Sequence, residues 1–296
     1  MRRILLLFYI LLFSAFISSA GSKSINIWEG THCKDVVKLT PYLADGDNNV
    51  AVIVCPGGSY FWLDRKTEGV GVAKWLQSKG ISAFVLEYRV AGVFAFVTHH
   101  RVLARGNCFP DMLLDVQRAL QIVREKALDF NINPNRIGVM GFSAGGHLAA
   151  MSGIFFDNNI LHSQGIFPYV SLKPDFIAPI YPVVSMTHPS THKRSRRGLL
   201  GEGHDISPQM MDSLSLERHV RHDMPPTFIM NCVDDPIVDY HNSILLDSAM
   251  NHVKAPHQYV QFATGGHGFG ANPDKTSSEA IAWKELFICW LNNLFK

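Results

Sequence analysis

From Asn49 onward the chain alternates between short apolar runs rich in β-branched residues and longer stretches whose apolar residues recur at helical spacing. That is the pattern of repeated strand-helix units around a mostly parallel sheet, because parallel neighbours need a crossover, usually a helix, between them. Strands are expected at 50–55, 83–88, 137–140, 176–181, 227–232 and 258–262, each too short and too apolar for a helix in that setting, and all are read as buried strands. Helices are expected at 69–78, 112–128, 143–154, 239–250 and 277–294. In the second of these, Leu113, Val116, Leu120 and Val123 make an apolar face, with Asp115, Arg118, Arg124 and Lys126 assigned to the opposite one. Residues 25–48 are read as antiparallel edge strands. The class is therefore α/β, a mostly parallel central sheet flanked by helices on both faces.

With 296 residues, 47% of them apolar, the chain is long enough for one large core and lacks the polar bias of a disordered protein. Its start reads as a signal peptide, residues 1–20: Arg2 and Arg3, an apolar run over 4–17, then Ser18-Ser19-Ala20 with small residues where a signal peptidase reads. Cleavage after Ala20 leaves 21–296 as one catalytic domain, exported to a periplasmic or extracellular destination. An uncleaved anchor is the alternative, although a run of about 14 residues is short of the ~20 that span a bilayer. No second long apolar stretch follows, so the mature body is not expected to insert stably in a membrane.

A formal charge of +2 is too small to imply nucleic acid or another polyanion as partner, and the local cluster Lys193, Arg194, Arg196 and Arg197 reads as a solvated loop. Five cysteines without CxxC spacing argue against both a zinc site and a disulfide scaffold. No HExxH or comparable spacing suggests a metal, and no cofactor is implied. Residues 91–109 and 187–223 break the strand-helix alternation and are either substrate-shaping caps or surface loops.

Gly141-Phe142-Ser143-Ala144-Gly145 stands where an expected strand meets an expected helix, which is the context a GxSxG sequence requires before it carries meaning. A nucleophilic serine must be held on a sharp turn with its hydroxyl above the sheet, and small residues two before and two after let the neighbouring chain approach. Pro56-Gly57-Gly58-Ser59 follows an earlier strand, and its glycines allow backbone N–H groups close to a reacting carbonyl. The candidate oxyanion hole combines the Ala144 amide with one or two of those of Gly57, Gly58 and Ser59. The Gly-Lys pattern of a phosphate loop is missing there.

Asp234-Asp235-Pro236 lies at the carboxyl end of the 227–232 strand, where functional residues of parallel sheets gather, and Gly265-Gly266-His267-Gly268 follows the next strand. The order nucleophile, acid, base emerges as Ser143, Asp235, His267. Asp235 is favoured over Asp234 because consecutive side chains leaving a strand point in different directions, and Asp234 is then left to shape the turn before Pro236. His147, one helical turn after Ser143, is read as a packing or hydrogen-bonding residue. Tyr60, Phe61 and Trp62 either contact substrate or form a buried aromatic cluster. Cys55 and Cys232 are expected three strands apart, ~14 Å at ~4.8 Å per strand, beyond the reach of a disulfide.

Several further segments complete a recognisable set: Cys55-Pro56-Gly57-Gly58, Glu68-Gly69, Glu87-Tyr88-Arg89-Val90, Asp115-Val116-Gln117-Arg118-Ala119, Arg136 through Gly146-His147, Leu199-Leu200-Gly201 and Pro225-Pro226-Thr227-Phe228. With these the chain resembles α/β-hydrolases of the carbohydrate-esterase and acetylxylan-esterase-like group, distantly similar to prolyl oligopeptidase-type enzymes. It departs from that group at Ser59, where many members carry another glycine, and in the long 91–109 segment. The resemblance implies an α/β-hydrolase fold and a serine esterase acting on acylated carbohydrates, commonly acetyl esters of plant polysaccharides, or on other small esters. A serine peptidase of the prolyl oligopeptidase kind is the alternative; it shares the triad but normally carries a large extra domain. A non-catalytic carbohydrate-binding relative is a second alternative, expected to have lost triad members.

Overall fold

The computed structural model describes residues 23–45, 49–99, 106–202 and 206–296. The expected signal peptide at 1–20 lies outside them, as do residues 100–105 and 203–205 of the two interrupting segments. Among the described residues, β1 (Ile25–Asn26), β2 (Lys38–Tyr42), β3 (Ala51–Cys55), β4 (Ser82–Glu87), β5 (Ile137–Phe142), β6 (Phe176–Ile180), β7 (Thr227–Cys232) and β8 (His257–Phe262) form one sheet. Their order is β1-β2-β4-β3-β5-β6-β7-β8. β1 and β2 run antiparallel at one edge, as expected, and every pairing from β4 to β8 is parallel, with Ala51 opposite both Ser82 and Ile137.

The residues alternate between two cores. Ile53 and Cys55 face one cluster, with Leu148 and Leu246, while Val52 and Val54 face the other, with Phe142, Trp283 and Phe287. Each such buried side chain stabilises the fold by about 1.5–3 kcal/mol. Helices cover both faces: α1 (Val72–Ser78), α2 (Gly92–Thr98), α3 (Asp111–Glu125), α4 (Ala144–Ile154), α5 (Lys193–Leu200), α6 (Pro208–Ser213), α7 (His241–Val253) and α8 (Trp283–Leu294). A π-helical turn, Arg65–Gly71, leads into α1 and is capped by Asp64, whose carboxylate accepts from the Thr67 amide.

Three expectations need correction. β8 is not a buried strand: at the edge of the sheet it is only partly buried over 257–260, and Gln261 is exposed. Asp115 does not face solvent: it is fully buried, accepts from Trp28 Nε1 at 2.7 Å and pairs with Arg89 at 2.9 Å. Arg124, also buried, pairs with Asp175 at 2.7 Å. The polar face of α3 is thus partly an internal, paired one, which a helical period read from sequence does not distinguish from a wet one. Likewise, the interrupting segments hold helices α2, α5 and α6. The run Lys193 to Arg197 carries no apolar stripe, and α5 is held instead by buried Leu199 and by Gly198, where a Cβ would stand 2.3 Å from the Ser59 carbonyl. β3 and β7, which end in Cys55 and Cys232, are separated by β5 and β6, and all five cysteines are free.

Candidate active site

The strand-to-helix turn after β5 has the strain its sequence requires. Ser143 sits at φ 55°, ψ −117°, a conformation that costs a residue with a Cβ about 1–3 kcal/mol. Both glycines of the motif are steric necessities, since a Cβ on Gly141 would lie 1.8 Å from the Gly145 carbonyl and one on Gly145 2.1 Å from the Cys55 carbonyl. The turn is pinned by Ser143 N donating to the Ile180 carbonyl at 3.0 Å and by Val183 N donating to the Ser143 carbonyl at 3.1 Å.

At the ends of β7 and β8 the two aspartates separate. Asp235 Oδ2 stands 2.6 Å from His267 Nδ1, and its Oδ1 accepts from the amides of Ile237 and Val238 at 2.8 and 2.9 Å. Asp234 accepts instead from the amides of Gly265 and Gly266, at 3.1 and 2.8 Å. It therefore anchors the histidine loop rather than its own turn before Pro236. The Asp235 carboxylate can only accept, so His267 carries its proton on Nδ1 and turns the lone pair of Nε2 outward. Ser143 Oγ bonds to neither ring nitrogen in this geometry; such contacts often tighten only with substrate.

Gly57 lies directly on Ser143, since a Cβ there would be 2.9 Å from Ser143 Cβ. Its amide, however, donates to Glu68 Oε2 at 2.7 Å, so Gly57 shapes the loop and is not a free oxyanion donor. The Gly58 amide has no partner among the described residues, and the Ala144 amide, first in α4, has no intrahelical acceptor. These two remain.

Of the three aromatic residues expected either to meet substrate or to pack inward, two pack inward. Tyr60 and Phe61 are buried, whereas Trp62 is 37% exposed. Successive positive φ angles at Gly58, Ser59 and Tyr60 (140°, 56° and 62°) turn the chain into the core at this point. Tyr60 meets His147, whose pKa burial lowers to about 4.

Four further residues of the site escaped the sequence reading as functional groups. Glu68, known there only as part of a resemblance, and Tyr181, at the end of β6, lie beneath the histidine, with the Tyr181 and His267 rings 4.7 Å apart. His192 and Arg194 come from α5 and its N-cap: Arg194 Nε donates to Ser59 Oγ at 3.0 Å and its guanidinium lies 5.6 Å from the Trp62 ring. His192 has its pKa lowered to about 4 by burial, then by the charges of Arg194 and His267. No sequence motif marks these two, because they reach the site through the fold of the 187–223 segment. Among the described residues, no group of three His, Cys, Asp or Glu side chains could hold a metal ion.

Comparison with known proteins agrees with this architecture. Residues 41–250 match the family model BD-FAE. An acetylxylan esterase of Xylanibacter ruminicola is 32% identical over 79% of this chain and 44% of its own length. Endo-1,4-β-xylanase B of Butyrivibrio fibrisolvens is 30% identical over 81% of this chain and 36% of its own. The chain thus spans less than half the length of these curated relatives. The crystal structure of an acetyl ester-xyloside bifunctional hydrolase from Caldicellulosiruptor lactoaceticus superposes with a TM-score of 0.80 at 34% identity, covering 94% of this chain and 99% of that one. The nucleophile turn, the sheet order and these matches lead to one conclusion: the chain belongs to the BD-FAE family, within the carbohydrate-esterase group of α/β-hydrolases.

Proposed function

We propose that this protein is a serine carboxylic ester hydrolase that removes acetyl groups from xylan-type polysaccharides or their fragments. The observation that carries the reading is the Asp235-His267 pair at 2.6 Å, set at the strand ends beside the strained Ser143 turn. His267 Nε2 takes the Ser143 proton as Oγ attacks the ester carbonyl, Asp235 stabilises the imidazolium, and the Gly58 and Ala144 amides receive the oxyanion. The protonated imidazole gives its proton to the leaving sugar oxygen. Water, deprotonated by the same imidazole, then releases acetate from Ser143. The acetyl group and the sugar are assigned from the acetylxylan esterase and acetyl ester-xyloside hydrolase among the relatives.

Incubating the purified protein with acetylated and feruloylated xylooligosaccharides tests this. Acetate should be released in preference to ferulate; release of ferulate alone, or of neither, overturns the substrate assignment. Export belongs to the same proposal, on Arg2, Arg3, the apolar run and Ser18-Ser19-Ala20. Amino-terminal sequencing of the protein recovered outside the inner membrane should begin at Gly21, and recovery with Met1 intact argues for an anchor.

A further inference from the structure

We propose that Glu68 is a positioning residue of this site, whose single buried carboxylate braces the oxyanion loop and the histidine loop together and whose charge stabilises the His267 imidazolium. The proposal rests on the assignment of Ser143 and His267 made above.

Glu68 is 2% exposed and sits in the π-helical turn Arg65–Gly71, a geometry that recurs at functional sites. Both its oxygens accept. Oε2 takes the Gly57 N–H at 2.7 Å, fixing the residue before the free Gly58 amide. Oε1 takes the Tyr181 hydroxyl proton at 2.9 Å, and that hydroxyl in turn accepts from the Gly270 amide at 2.9 Å, three residues after His267. The Tyr181 ring lies against the imidazole. One carboxylate therefore ties together the loop that receives the oxyanion, the end of β6 and the loop that delivers the base. A Cβ on Gly270 would stand 2.7 Å from the Thr67 carbonyl, so the histidine loop also rests directly on this turn.

The pKa of Glu68 is raised above the usual carboxylate value, by burial first and by the neighbouring Asp64 last, with the charge of His267 and the bonds from Tyr181 and Gly57 working the other way. Among the described residues, the other titratable groups around His267 are Asp235, which pairs with it, His192, held neutral at pH 7 by burial, and Tyr181, whose hydroxyl burial keeps protonated. Lys275 Nζ, near the turn, is bonded to Thr67 Oγ1 at 2.8 Å. An anion close to an imidazole favours the imidazolium, so removing it lowers the imidazole pKa. The acid limb of kcat/KM, which reports that ionisation in the free enzyme, then moves to lower pH.

Glu68→Gln keeps the shape, can still accept from Gly57, and removes the charge. With p-nitrophenyl acetate, kcat should fall about tenfold to a hundredfold, as for a lost buried hydrogen bond, with KM within about threefold. The acid limb should move to lower pH. Tyr181→Phe keeps the ring against His267 and the charge of Glu68 but cuts the bond between them; it should lose kcat comparably with the limb near its wild-type position. A Glu68→Gln protein with an unmoved acid limb, whether or not its melting temperature falls, overturns the electrostatic role. A folded Tyr181→Phe protein with kcat within threefold of wild type overturns the bracing, and it decides that point even if Glu68→Gln does not fold. The rate at which a fluorophosphonate labels Ser143 across pH reads the same imidazole without any ester. Failure of the sugar or acetyl assignment is therefore distinguishable from failure of this one.

Discussion

The Tyr60 hydroxyl donates to His147 Nδ1 across 2.9 Å, and both side chains are completely buried. His147 Nε2 faces the Leu214 carbonyl at 3.0 Å, which can only accept, so the imidazole is held as the neutral Nε2–H tautomer and is no rival base to His267. Its pKa is lowered to about 4, so between pH 6.5 and 4 the unfolded chain binds a proton that the folded one refuses. Stability conferred by this site is intact above the unfolded value and is lost as pH falls toward 4, by about 3 kcal/mol at most. Chemical denaturation of wild type and His147→Asn between pH 7 and 4 should show a flatter slope in the variant; parallel slopes would refute the assignment.

Replacing Ser143, the proposed nucleophile, should separate activity from stability. Ser143→Ala should lower turnover of a small acetyl ester by about 10⁴-fold or more with the fold intact. Ser143→Gly should be equally inactive yet more stable, by about 1 kcal/mol, because glycine adopts a φ of 55° without strain. Activity of the alanine variant within tenfold of wild type would displace Ser143 from its role.

Asp235→Asn removes the acceptor that holds the His267 tautomer, and in a Ser-His-Asp site this change costs about 10⁴-fold in turnover. Asp234→Asn keeps one oxygen for the Gly265 and Gly266 amides and should lose far less, with a modest fall in melting temperature. Steady-state kinetics of the two folded variants decide the matter, and the reverse ranking would make Asp234 the acid.

Arg194 touches the oxyanion loop through Ser59 and borders the exposed Trp62, and among the described residues it has no acidic partner. Replacing it with Ala should raise KM for acetylated xylooligosaccharides about tenfold, the worth of roughly one charged hydrogen bond. Turnover of p-nitrophenyl acetate, which carries no sugar, should stay within threefold. Equal losses on both esters would make Arg194 a support of the loop alone.

The parallel sheet was legible because β3 to β7 each carry an apolar run, whereas the polar residues of β8 mark an edge strand; Ser143, Asp235 and His267 stood out as candidates because each follows a strand end in a small-residue or turn-rich context. What stayed hidden depends on direction or on distance along the chain. Adjacency to Gly58 did not reveal that three positive φ angles turn Tyr60 and Phe61 inward. The Gly57 amide looked free because its acceptor sits on a π-helical turn that periodicity does not foresee. The Tyr181 and Glu68 bond joins residues 113 apart, and no local pattern announces it. Asp115 looked solvated because its partners, Trp28 and Arg89, come from outside its helix.

Gly198 brings the backbone of α5 against the Ser59 carbonyl, one residue from the Gly58 amide. The segment that decorates the rim and the loop proposed to receive the oxyanion therefore form a single mechanical part. Evolution cannot exchange this rim freely for another, as it can exchange a detached surface loop: a new rim must also present a gap the width of a glycine at this point, or the amides below it shift. Drift in substrate preference within such a lineage should accordingly proceed through side chains along α5, with the helix itself and its glycine retained.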